Sequence, residues 1–297
     1  MKDFSFWEEY EGTSEGSGRS EKIWLINPDT GQTGLFKYKK DENTTDHVSE
    51  CLAYHLAQLV GIPCAKFELG VYFDREGSMS YNIIKNKDEI LIEGISFLNY
   101  EYPHYNPEKF IDVKSGAVYS LEMIEKVMSK FINFIDFLKI PIFDYLSGNS
   151  DRHQSNWAIL VKGIRKTFSP LYDNSSSLCA YLSENQIRGY LGNDKLRWRS
   201  LVQTKSKSLI RRTIDEKERP THLEMMQYIK DKYYDETKDF VKKIVTVMTK
   251  ENICDILNRY TDVELKRNKK IIIEKFLLDK TNDLKVLYFG KEEENVD

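Results

Sequence analysis

An aspartate, Asp151, stands five residues before an asparagine, Asn156, and a second aspartate, Asp173, follows after a short apolar hairpin. The first two lie in Leu146-Ser-Gly-Asn-Ser-Asp-Arg-His-Gln-Ser-Asn-Trp-Ala-Ile-Leu-Val161, the third in Ser169-Pro-Leu-Tyr-Asp-Asn-Ser-Ser-Ser-Leu178. Phosphoryl transfer from ATP needs this layout. One carboxylate sits at the acceptor hydroxyl, while an amide oxygen and a second carboxylate hold magnesium on the phosphates. The Asp-x-x-x-x-Asn spacing alone arises readily by chance. Here Gly148 precedes it after a helix, Arg152 and His153 lie inside it, and it runs straight into the strand Trp157–Val161. The alternative is a capped loop whose polar side chains satisfy backbone groups. For Asp173 the alternative is an Asx-turn ahead of Asn174.

Other residues extend the same chemistry. Lys37 sits mid-strand in Gly34-Leu-Phe-Lys-Tyr38, ahead of a helix bearing Glu50, which suggests an ion pair that aims an ammonium at phosphates. Lys39 and Lys40 are adjacent alternatives, and a solvated strand lysine is the plain one. The stretch from Glu11 to Lys22 holds Gly12, Gly16 and Gly18 among hydroxyls, including Ser14 and Ser17. Such a loop frees N–H groups for phosphate, although it matches neither G-x-G-x-x-G nor the Walker pattern. His153 could orient Asp151 or be a structural histidine. Residues 195–219 hold nine Lys/Arg, read as a solvated face before a docking surface.

The elements that must position these residues are legible in part. Residues 1–98 read as a strand-and-helix lobe, with strands over 22–26, 33–38, 65–73, 78–84 and 90–98. The last is expected to carry the adenine-binding backbone near Ile95–Leu98, with Phe97 and Leu98 at the nucleotide. Apolar spacing predicts a helix over 46–60, closed by Gly61. Residues 108–297 read as a helical lobe: 121–138, a short helix opened by Pro141 and closed by Gly148, then 221–234, 237–249, 250–260 and 262–278. The acidic tail 290–297 is expected to fray.

Composition bounds the reading without adding chemistry. The chain has 297 residues, net charge −3, and 12% aromatic residues. Mean hydropathy is −0.54 and the isoelectric point is near 6.1. No global bias points to nucleic acid or an anionic membrane. Cys51, Cys64, Cys179 and Cys254 form no C-x-x-C pair and read as reduced thiols. No signal peptide or membrane span is evident, so a cytoplasmic location is expected, with a secreted effector role left open.

Together these residues resemble the HipA-like kinases, bacterial serine/threonine kinases, and most nearly their short, stand-alone CtkA-type members. Gly148-Asn-Ser-Asp-Arg-His-Gln-Ser-Asn-Trp157 is similar to the family's G-N-x-D-R-H-x-x-N-[WF]. Residues 169–178 are similar to its A-P-[LI]-[YF]-D-x-[GS]-S-x-L, and Glu50 with Leu59-Val-Gly-Ile-Pro63 fits the nucleotide-lobe helix. The resemblance implies an α+β, protein-kinase-like bilobal fold with a strand-rich N-lobe and a mainly helical C-lobe. It implies ATP and Mg2+ as cofactors, Asp151 as catalytic base with His153 beside it, and Asn156 and Asp173 as metal ligands. Lys37, Glu50, Gly16, Ser17, Gly18, Phe97 and Leu98 would form the nucleotide site. A regulatory autophosphorylation serine is implied in the glycine-rich loop, at Ser14 or Ser17. Implied partners are a protein substrate and a separate antitoxin-like or regulatory subunit, with no direct nucleic-acid or membrane contact.

Two departures matter: Ser175 replaces the kinase glycine two residues past Asp173, and Asn149-Ser150 replaces His-Arg before Asp151. An activation-loop phosphosite anchored by that arginine is therefore not expected. The competing readings are a lipid or small-molecule kinase, and a nucleotide-binding toxin-like protein with little turnover.

Overall fold

The structure is a computed structural model that describes residues 1–11 and 21–290. Its N-terminal part is a sheet of strands β1 (Lys2–Asp3), β2 (Glu8–Glu9), β3 (Lys22–Ile26), β4 (Thr33–Tyr38), β5 (Phe67–Tyr72) and β6 (Arg75–Tyr81), in the order β1-β5-β6-β4-β3-β2. The β3–β4 turn forms because the Asn27 side chain accepts the N–H groups of Asp29 and Thr30, and Gly31 takes φ 70°. Alternation along these strands gives the sheet two apolar faces. One carries Leu25, Phe36, Tyr72, Met79 and Tyr81, and the chain's first residues fold over it with Phe4 and Trp7 to make a small separate core. The other packs on helix α1 (Asp46–Val60).

Helix α1 has the predicted bounds. Val48, Leu52 and Leu56 lie on one buried face, and Gly61 caps the end at φ 76°. The strand expected over 90–98 ends early: β7 is Glu89–Glu93, and residues 94–101 are helix α2 (Gly94–Glu101). The reason is tertiary. The Gly94 N–H donates to the Trp157 carbonyl and the Ile95 N–H to that of Gln154, which turns the chain out of the strand.

After a small hairpin of β8 (Tyr105–Asn106) and β9 (Ile111–Asp112), the predicted helix 121–138 divides. Its first part, α3 (Leu121–Met128), is followed by an irregular turn and a 3-10 segment, Phe134–Leu138, begun where the Asn133 side chain accepts the Ile135 N–H. That segment runs into α4 (Lys139–Ser147), where Pro141 sits in the first turn and needs no N–H partner. Strands β10 (Ala158–Lys162) and β11 (Arg165–Phe168) form a hairpin, and β10 also pairs with β7.

Helices α5 (Glu184–Leu191) and α6 (Lys195–Arg199) arise in a region without a predicted element. Helices predicted over 221–234 and 237–249 are one element, α7 (His222–Val247), kinked at Tyr233. Helix α8 (Lys250–Leu257) follows. The last helix, α9 (Arg267–Phe289), outruns its predicted end because Leu284 and Tyr288 keep the buried stripe going. These helices share the large core with α1. Among the described residues no helix is long and apolar enough to cross a membrane.

Candidate active site

Lys37 projects from β4 toward α1, where its ammonium donates to Glu50 Oε1 at 3.0 Å and lies 3.1 Å from Asp173 Oδ1. Glu50 is buried, and its second oxygen accepts the Asn174 N–H at 2.7 Å. One helical carboxylate therefore ties a strand lysine to the segment after the β10–β11 hairpin. Burial acts to lower the pKa of Lys37, but Asp173 and Glu50 outweigh it and hold the ammonium above the ordinary range. Burial pushes Glu50 up, partly offset by Lys37. For Asp173 burial acts upward as well, and Lys37 overrides it, leaving a carboxyl at about 2. Asp173 itself takes φ 53°, in the left-handed region that Asp tolerates at turns, and accepts a hydrogen bond from the Ser175 hydroxyl at 3.2 Å.

The loop bearing Asp151 and Asn156 begins where Gly148 ends α4 at φ 71°. It is closed by its own polar groups. Asn149 donates its side-chain amide to Asp144 at 3.0 Å and accepts the Asp151 N–H at 3.2 Å. The Asp151 carbonyl accepts from the Asn156 side-chain amide at 2.8 Å and from the His153 N–H at 2.9 Å. These bonds leave the Asp151 carboxylate and Asn156 Oδ1 as the groups available for chemistry. Asp151 is exposed, yet partial desolvation and then the Asp173 charge push its carboxyl above the usual aspartate range, against His153 and Arg219.

Arg152 joins the pieces. Its buried guanidinium donates to both Asp144 oxygens, at 3.0 and 2.8 Å, and to the Asn174 side chain at 2.6 Å. It also donates to the carbonyls of Asn156 and Tyr172, each at 2.8 Å. The Asn156 loop and the Asp173 turn are thus held to one cation. Sequence reasoning treated Arg152 only as context and missed Asp144 and Asn174. The signal for Asp144 was present: a lone carboxylate within the apolar run Pro141–Leu146 needs a buried partner.

The other expected residues take different places. His153 Nδ1 accepts the Ser155 N–H at 3.2 Å, so its ring braces the turn. Phe97 and Leu98 sit within α2: Leu98 is fully buried in the core and Phe97 packs on Phe131. A helix leaves no free backbone edge at these two positions, and residues 82–88 join the six-stranded sheet to the β11-β10-β7 sheet. Ser14, Gly16, Ser17 and Gly18 lie outside the described residues. Lys39 pairs with Glu76 at 2.9 Å, and Lys40 lies over the Tyr181 ring. The four cysteines are free thiols. Among the described residues no group of three or more His, Cys, Asp or Glu could hold a metal. Asn156 and Asp173 are hard oxygen donors of the kind that magnesium takes in company with phosphate oxygens.

A family model described as HipA-like C-terminal domain matches residues 14–247. Among curated proteins no match is found. Among solved structures the fold is similar to the proinflammatory kinase CtkA of Helicobacter pylori, with TM-score 0.79 and 17% identity over 96% of each chain. It is also similar to HipA of Shewanella oneidensis MR-1, solved with HipB and its operator DNA. There the TM-score is 0.55 and identity 12%, over 95% of this chain and 66% of that one. Both have protein-kinase-like folds, and the mixed architecture found here, strand-rich first and helical after, is the one expected. Every described segment that builds the site, from Lys37 to Asn174, lies inside the matched stretch, and the chain belongs to the HipA-like C-terminal domain family.

Proposed function

We propose that the protein is an ATP- and magnesium-dependent serine/threonine protein kinase that also phosphorylates itself. The observation that carries this reading is the convergence of Lys37, Glu50 and Asp173 with the Asp151–Asn156 loop, joined through Arg152. Lys37 holds phosphate oxygens and is itself aimed by Glu50. Asp151 receives or orients the proton of the acceptor hydroxyl. Asn156 and Asp173 would hold magnesium, which when bound neutralises charge on the phosphates. The chemistry is positioning and charge compensation, and the buried network around Arg152 supplies both. A separate antitoxin-like subunit is the partner this reading adds, supported by the relative that was solved with HipB.

The test is labelled γ-phosphate transfer with magnesium, using myelin basic protein as acceptor and site mapping by mass spectrometry. Wild type is expected to label protein, with Ser14 or Ser17 among its own sites. Asp151→Ala and Asp173→Ala are expected to lose on the order of 100-fold or more in kcat without loss of folding. Near-wild-type transfer by either variant overturns the assignment. Transfer to lipid or a small molecule, with none to protein, refutes the acceptor class.

A further inference from the structure

A column of buried polar groups lies under the catalytic-looking loop and is not used by the mechanism above. The capping box of Thr221 and Glu224 places His222 at the first position of α7. There its ring is fully enclosed, with Nε2 2.9 Å from the Asn149 carbonyl and Nδ1 2.8 Å from the Ser206 hydroxyl. On the far side, the Lys280 ammonium of α9 donates to the same hydroxyl at 2.9 Å. Lys280 is buried, with no carboxylate among the described residues within ion-pair distance, and lies over the Tyr145 ring at 4.3 Å. Tyr145 in turn donates its hydroxyl to the Lys280 carbonyl at 3.0 Å.

The direction of these bonds is fixed by elementary bookkeeping. A carbonyl only accepts, so Nε2 of His222 must carry a hydrogen. Burial drives His222 well below the ordinary imidazole range, so the ring is neutral and Nδ1 is an acceptor. The single hydrogen of Ser206 then goes to Nδ1, and Ser206 can only accept from Lys280. Lys280, whose pKa burial lowers to about 7, donates in either charge state. Every link points the same way, toward Asn149. The Asn149 side chain accepts the Asp151 N–H, so the column ends one hydrogen bond from the reactive carboxylate's own backbone.

We propose that Lys280, Ser206 and His222 form the positioning device of the catalytic loop, a one-way hydrogen-bond column from α9 that holds the Asn149 carbonyl and so sets Asp151. They are positioning residues: none touches substrate. The proposal rests on the kinase reading for its kinetic consequence, and on the hydrogen-bond geometry around a buried, neutral ring for its structural one.

The experiment uses the full chain and has two arms. Nitrogen-15 NMR of His222 is expected to show the Nε2–H tautomer, with Nδ1 bare, between about pH 6 and pH 8. A ring protonated on Nδ1 overturns the proposal. In the second arm, His222→Leu is expected to lower kcat by about 100-fold while the ATP dissociation constant stays within about twofold. Amide exchange over residues 149–153 should quicken. His222→Gln, whose amide donates to Asn149 and accepts from Ser206, should restore most of both. Ser206→Ala keeps every residue of α7 and decides the matter if the leucine variant fails to fold: it should loosen the same amides and lower kcat. Unchanged kcat and protection, or parallel loss of ATP affinity and kcat without rescue by Gln, refutes the device. If wild type transfers no phosphate while tautomer and exchange behave as stated, the kinase reading fails and the positioning inference stands.

Discussion

Arg152 places all five donors of its guanidinium inside the site, on Asp144, Asn156, Tyr172 and Asn174. An Arg–Asp pair that is this buried adds modestly to stability while intact, because desolvation offsets its attraction. Removing one partner is a different matter. Arg152→Ala leaves Asp144 charged and enclosed, and is expected to destabilise the fold by about 3–5 kcal/mol in denaturant titration. A loss under about 1 kcal/mol would contradict the hub role. Asp151 supplies the pH prediction. Its carboxyl is pushed upward by desolvation and by Asp173, and the chemistry needs the ionised form. Activity should therefore be lost as pH falls through a midpoint above the usual aspartate range, not below it. The acid limb of kcat/KM, read where the protein is still folded, checks the sign.

At the scale of elements, the site depends on where β7 stops. Gly94 marks the change from strand to helix, and a Cβ there would lie 2.3 Å from the Trp157 indole. The indole is itself fixed, because Trp157 Nε1 donates to the Tyr119 hydroxyl at 2.8 Å. Gly94→Ala should cost about 1–3 kcal/mol by overpacking, since neither ring nor strand has room to yield. Thermal denaturation measures this, and an unchanged Tm would show that the β7–α2 junction is looser than its geometry. Trp157 follows Asn156 directly, so the same variant should also slow transfer. Helix α1 acts at this scale too. Its apolar face locks it into the large core with the later helices, so Glu50 is held by the helical body while Lys37 belongs to the sheet. The ion pair spans the two.

At the scale of the whole molecule, the described residues form two apolar clusters of unequal size. The larger runs from α1 through α9; the smaller lies on the outer face of the sheet, closed by Phe4 and Trp7. Phe4 is fully buried, edge-on to Trp7 at 5.5 Å and tilted on Phe36 at 5.9 Å. Phe4→Ala is expected to cost about 3–5 kcal/mol, felt first in the sheet. Hydrogen exchange should show β4–β6 opening before the helices, because separate clusters open with separate free energies. Uniform loss of protection across both parts would argue for one cooperative core.

Much of this was determined by the chain read in one dimension. Helix α1 and its glycine stop followed from apolar spacing and the freedom of Gly61 at positive φ, both local properties. So did the paired strands around Asn27–Gly31 and the turn that carries Asp151 and Asn156. What needed the tertiary structure were choices that depend on distant partners. Lys37 rather than Lys39 meets Glu50 because Glu76, on the neighbouring strand, takes Lys39. Residues 94–101 are helix because Trp157 and Gln154 claim the Gly94 and Ile95 N–H groups. Arg152, His222 and Lys280 look like ordinary polar residues in sequence, and only burial makes their pairing obligatory; Asp144 stands out in its apolar run, but its partner does not. Periodicity reports which face of an element is apolar. It carries no record of which buried donor meets which acceptor, and in this protein those meetings build the site.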